Sequence, residues 1–160
     1  MKGSTPGQAY QTPNPTKRSL ARSRWRPALL WALLIWLLLS IPTGILGAGK
    51  GGWLATHLPA WLLARIDKVV HAGLFLVLAG LLHRGPRSAA TGPSPLAGLG
   101  RVLALSCTYG ALTELYQHLF LPWRSGDLAD LLADGLGASL YALAVVAGYG
   151  LRVLAGREPR

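Results

Sequence analysis

Glu114, Asp127, Asp130 and Asp134, four of the six acidic residues in the chain, lie within one stretch, TELYQHLFLPWRSGDLADLLADG. On a helix, Glu114 and Gln117 share a face at a spacing of three, and Asp127, Asp130 and Asp134 share one at spacings of three and four. Upstream, Asp67 and His71 are one turn apart, with Lys68 between them. An imidazole and nearby carboxyls can pass protons, so His71, Glu114 and Asp130 are the candidate catalytic groups. Arg124 suits a phosphate or carboxylate. Asp67, Lys68, Gln117, Asp127 and Asp134 complete the candidate ligand-binding set, Asp134 with Asp130 orienting the groups that move protons. His71, Glu114, Asp130 and Asp134 would also make an oxygen-and-nitrogen ligand set for a metal-dependent variant. No compact metal motif accompanies them, and no metal or cofactor is assigned. Neither a Ser/His/Asp nor a Cys/His nucleophile arrangement stands out. The single cysteine, Cys107, lies in an apolar segment and reads as a buried, inert thiol.

What could position these residues follows from the composition. The chain is 51% hydrophobic and 14% charged, a balance expected of a small integral membrane protein rather than a soluble domain. The net charge of +10 raises the question of nucleic acid. The basic residues, however, sit in clusters between apolar runs and form no stripe interleaved with aromatics, so nucleic-acid binding is not expected.

Residues 1–26 read as a disordered tail, interrupted by Pro6, Pro13 and Pro15 and ending in the basic run Lys17, Arg18, Arg22, Arg24 and Arg26. Residues 27–46 form the first apolar segment, long enough to span about 30 Å as a helix, with Pro42 bending or ending it. A cleaved signal peptide is the rival reading; the length and the weak site at Gly47–Ala48–Gly49 favour an uncleaved anchor. Trp53 and Trp61 suit a membrane interface. The second segment, 61–84, must include Asp67, Lys68 and His71 in its outer third to cross. The third runs from about residue 96 to 121 and contains Glu114; the fourth, about 128–151, carries Asp130 and Asp134 in its first two turns. A basic tail, 152–160, follows. The expected fold is therefore an all-α, four-helix bundle in the cell membrane over residues 27–151.

Lys and Arg counts orient it. With the N-terminus in the cytoplasm, twelve fall inside and four (Lys50, Arg65, Lys68 and Arg124) outside, so both termini are expected to be cytoplasmic. The candidate site residues then all lie toward the extracytoplasmic side. An acidic residue near a helix centre costs about 2.5–3.5 kcal/mol on insertion scales, and polar groups converging from several helices point to a functional site.

Plainer roles exist for most of them. Asp127 can cap the fourth helix and Asp130 can complement its positive end. Lys68 can mark a helix end or snorkel, Glu114 and His118 can form an intrahelical pair, Gln117 can cross-link helices, and Arg124 can neutralise its neighbours. Asp134 lies beyond the first turn, where capping does not account for it.

The motifs DKVVH (67–71), TELYQ (113–117) and PWRSGDLADLLADGLGA (122–138) resemble, in order, the D-K-x-x-H, E-x-x-Q and P-x-R…D-x-x-x-[ND]-x-x-G motifs of the VanZ-like membrane proteins. The resemblance covers about residues 67–138. Ala72 stands where an aromatic residue often follows the histidine, and Trp123 where a small residue is common; neither change removes a polar group. The founding member of that family is linked to teicoplanin resistance, which implies a role at the outer face of the membrane. Three readings stay open: a site that binds or modifies a polar, lipid-linked envelope ligand; a structural or partner-binding membrane protein; and an ion or proton pathway. The last is disfavoured by the lack of ionisable residues in the inner half. Membrane lipids are the expected partners, and the oligomeric state is left open.

Overall fold

The computed structural model of the protein describes residues 15–42, 53–85, 96–122 and 127–156. Its elements are helices: α1 (Pro15–Ser40), α2 (Trp53–His57), α3 (Ala60–His83), α4 (Leu99–Phe120) and α5 (Leu128–Leu154). Among the described residues there are no strands, so the all-α expectation holds.

Helix ends follow local chemistry. Pro15 opens α1 at the first helical position, where its missing N–H is no loss. From Thr16 to Arg26 no proline intervenes, and Lys, Arg, Leu and Ala favour helix. Residues 15–26, expected to belong to a disordered tail, are therefore helical, and residues 1–14 lie outside the described residues. Pro27 sits inside α1. The helix stops at Ser40, two residues before Pro42, because a proline disfavours helical geometry in the residue before it. Gly98 precedes α4 with φ 88°, a left-handed conformation that glycine adopts without steric cost. Asp127 is the N-cap of α5: its Oδ1 accepts the N–H of Ala129 at 2.9 Å.

Of the four long helices, α3 and α5 make the most intimate pair. The apolar core is small. Ile35, Leu39, Phe75 and Leu78 form one cluster with Trp31 and Tyr109 packed against it, and Ala79, Val102 and Ala138 form another. Two aromatic residues fasten α1 to its neighbours: Trp31 Nε1 donates to the carbonyl of Leu74 at 3.0 Å, and the Tyr109 hydroxyl donates to that of Ala32. At one end of the bundle, Arg101 lies over the ring of Trp25 and His83 Nδ1 meets the Tyr141 hydroxyl at 2.9 Å. The polar residues singled out above gather at the other end.

Polarity is inverted relative to a water-soluble bundle. On α5, Leu132, Leu136, Leu140 and Leu143 share an exposed face, while Asp130, Ala133, Asp134, Gly137 and Ala138 are buried. On α4, Leu112, Leu115 and Leu119 are exposed while Ser106, Thr113, Glu114 and Gln117 are buried. Among the described residues, α5 is the one helix both long and apolar enough to cross a membrane, and only 22% of its span is buried inside the protein. A core helix of a soluble protein would be mostly buried. The four crossing segments expected from sequence are thus matched by one helix on length and hydropathy; α1 includes the basic run, and α3 and α4 carry the polar residues of the site.

Cys107 is exposed on α4, which corrects the expectation of a buried thiol. Ser106, beside it in sequence, is the residue turned inward.

Candidate functional site

The site is assembled from α3, α4 and the start of α5. The α3 and α5 backbones approach most closely at Ala72 and Gly137: a Cβ built on Gly137 would lie 2.0 Å from the carbonyl oxygen of Ala72. No side chain other than hydrogen fits there. Small residues at such a crossing let two helices pack backbone to backbone. One residue from Ala72 is His71, and one turn before Gly137 is Asp134. The close approach therefore sets these two side chains against each other, with His71 Nδ1 2.9 Å from Asp134 Oδ1 and both side chains fully buried.

Gly110 makes room for the same carboxylate from α4, since a Cβ there would stand 2.9 Å from Asp134 Oδ2. One turn farther along α4, the buried Glu114 accepts the backbone N–H of Asp127 through Oε2 at 2.8 Å, which ties α4 to the entry of α5. Thr113 returns its hydroxyl to the carbonyl of Gly110. Gln117 donates through Nε2 to the carbonyl of Leu39 at 3.3 Å and so holds the end of α1.

Toward the bundle end, Lys68 bridges α3 and α5. Its Nζ donates to Asp127 Oδ2 at 2.8 Å and to Asp130 Oδ1, and lies 3.9 Å from Asp67. Asp130 is almost wholly buried, whereas Asp127 is half exposed. The ammonium of Lys68, followed by the N–H of Ala129, holds the Asp127 carboxyl below the usual carboxylate range. Lys68 is thus an interhelical cation, not a helix-end marker.

Of the residues expected to form the site, the structure brings together Asp67, Lys68, His71, Glu114, Asp127, Asp130 and Asp134, with Gln117 one turn beyond Glu114. Arg124 lies outside the described residues. Glu114 spends Oε2 on the α5 entry, and His118 is exposed, so the intrahelical Glu114–His118 pair is not what Glu114 makes. Sequence reasoning passed over Gly110 and Gly137, which admit the site. Their signal was present: Gly110 lies on the same α4 face as Glu114 and Gln117, and Gly137 on the same α5 face as Asp130 and Asp134.

Several buried polar atoms at the site have no hydrogen-bond partner among the described residues: His71 Nε2, Glu114 Oε1, Gln117 Oε1 and Asp134 Oδ2. One ring nitrogen of His71, one carboxylate oxygen of Glu114 and one of Asp134 lie within 4.8 Å of one another, and Asp67, His71 and Asp130 form a second such group around the same imidazole. The arrangement can exchange a proton between imidazole and carboxylate, accept hydrogen bonds from a ligand, or hold a cation. Compared with known proteins, the chain matches no described family, no curated protein and no solved structure.

Proposed function

We propose that the protein is an integral membrane four-helix bundle of the VanZ-like type, with its polar site toward the extracytoplasmic side, and that this site binds or modifies a polar group of a cell-envelope ligand. His71 and Glu114 handle protons, Asp134 and Asp130 orient them, and Arg124 contacts an anionic group of the ligand. The inverted polarity supports the membrane setting: an exposed leucine face on α5 and buried carboxylates are unfavourable in water and suited to lipid. α5, with 27 residues, also exceeds the length of about 20 apolar residues needed to cross. The VanZ-like assignment and the link to glycopeptide resistance rest on the three sequence motifs alone.

The observation that carries a binding role is the unpartnered atoms of His71, Glu114 and Asp134. A buried polar atom without a partner costs about 1–3 kcal/mol, and a network serving only to fasten helices has no reason to leave one on each of three neighbouring side chains. Lys68 already fastens α3 to α5.

The test places the full chain in nanodiscs containing a polyprenyl phosphate and measures its retention by native mass spectrometry. Glu114→Gln and Asp134→Asn are expected to weaken retention about tenfold, equivalent to about 1.4 kcal/mol, while helix content is unchanged. Equal retention by both variants would leave the site as a structural fastening. Teicoplanin susceptibility of cells producing the same variants tests the resistance link separately.

A further inference from the structure

We infer that His71, Glu114 and Asp134 bind one divalent first-row transition metal ion in the bundle interior. The inference rests on the functional reading of this site and deepens it. It also departs from the sequence reading, which assigned no metal.

Burial and hydrogen bonding carry the argument together. All three side chains are buried, His71 and Asp134 completely, and each has a polar atom without a partner among the described residues. One ring nitrogen of His71 and one carboxylate oxygen each of Glu114 and Asp134, from three different helices, lie within 4.8 Å of one another. Metal–ligand bonds of about 2.0–2.2 Å place ligand atoms roughly 3–3.5 Å apart around an ion, so small side-chain rotations close the set. Imidazole with two carboxylates suits Zn²⁺ or Mn²⁺ better than Ca²⁺ or Mg²⁺, which take oxygen ligands.

Charge points the same way. The carboxylates of Asp67, Glu114, Asp127, Asp130 and Asp134 converge on the region where Lys68 is the lysine in contact. That lysine serves Asp127 and Asp130; it makes no ion pair with Glu114 or Asp134. Among the described residues, the cationic partner of the inner carboxylates is His71, paired with Asp134, and a divalent ion would offset both charges in an interior that screens them poorly. Asp130 and Asp67, grouped around the same imidazole, would then lie just outside the first set of ligands, where such carboxylates orient a ligating histidine. With three protein ligands, coordination positions remain for water or for an oxygen of a bound phosphate or carboxylate.

The experiment uses the full chain in nanodiscs, stripped with a chelator and titrated with Zn²⁺ and, separately, Mn²⁺. Bound metal is read by elemental mass spectrometry after desalting, and Co²⁺ substitution reports the ligand field by its visible absorption. About one ion per chain is expected. His71→Ala and Asp134→Asn should each weaken binding by about 100-fold, the upper end of what even outer ligand-orienting groups contribute, and should change the Co²⁺ spectrum. His57→Ala removes an exposed histidine on α2 and should change neither. Asp134→Asn keeps the side-chain shape, so it remains decisive if His71→Ala fails to fold. Metal content unaffected by Asp134→Asn, or lost with His57→Ala, overturns the assignment. Retention of polyprenyl phosphate with no uptake of Zn²⁺ or Mn²⁺ would overturn the metal while leaving the envelope-ligand reading intact; metal binding without any such retention would do the reverse.

Discussion

Gly137 and Ala72 stand so close that a methyl group on Gly137 would fall 2.0 Å from the Ala72 carbonyl oxygen. This contact fixes the separation of α3 and α5 beside the His71–Asp134 pair. Gly137→Ala is expected to push the helices apart and to lower stability by about 1–3 kcal/mol, the usual effect of overpacking. Gly148, on the same helix, has open space around it, and Gly148→Ala is expected to be neutral or to stabilise by about 0.5–1 kcal/mol. Thermal unfolding of both variants in detergent checks the contrast; similar losses in the two would mean that the crossing is not fixed at Gly137.

Lys68 and Asp130 should be energetically coupled across α3 and α5. Lys68→Met leaves the buried Asp130 carboxylate without its ammonium, and Asp130→Asn leaves Lys68 with Asp127 and Asp67. A double-mutant cycle on unfolding free energy is expected to return a coupling of about 1–3 kcal/mol. Additive effects would show that the contact contributes no stability.

The pH dependence should single out Asp127. Its carboxyl is held below the usual range, chiefly by Lys68. A carboxyl with a depressed folded-state value adds stability above its unfolded value and loses it as pH falls through the folded one. Acid unfolding of the natural protein should therefore include a loss below the ordinary carboxylate range that Asp127→Asn and Lys68→Met both remove. A stability–pH curve with the same acid limb in Asp127→Asn would assign that loss to another group.

A reporter fused after Arg160, or inserted near Thr91, is expected to be cytoplasmic, and one inserted at Gly52 extracytoplasmic, because twelve of the sixteen Lys and Arg residues fall on the cytoplasmic side of that arrangement. Protease protection in sealed vesicles reads the result. An extracytoplasmic C-terminal reporter would turn the site to the inner face and remove the envelope ligand from consideration.

Much of the site was legible in the chain because helical periodicity is local. Spacings of three and four place Asp127, Asp130 and Asp134 on one face, and the cap at Asp127 needs only its own neighbours, Leu128 and Ala129. The all-helical class was likewise readable from the order of apolar and polar residues, as was the apolar character of the segment that becomes α5. Where α1 begins was not, because a basic stretch without apolar periodicity can still be helical when its residues favour it, as from Pro15 to Arg26. Cys107 could be placed only once the helices had packed, because its flanking Ser106 and Thr108 do not by themselves say which of the three turns inward.

Partnership was decided by tertiary structure. Nothing in the spacing says that Lys68 serves Asp127 and Asp130, that Glu114 accepts the N–H of Asp127, or that His71 is left to Asp134. Those choices depend on the register and separation of α3, α4 and α5, which are set by where two backbones can touch. Gly137 is the place where α3 and α5 can, Gly110 leaves room for the Asp134 side chain, and a side chain at either would move the carboxylate of Asp134 away from the imidazole it faces.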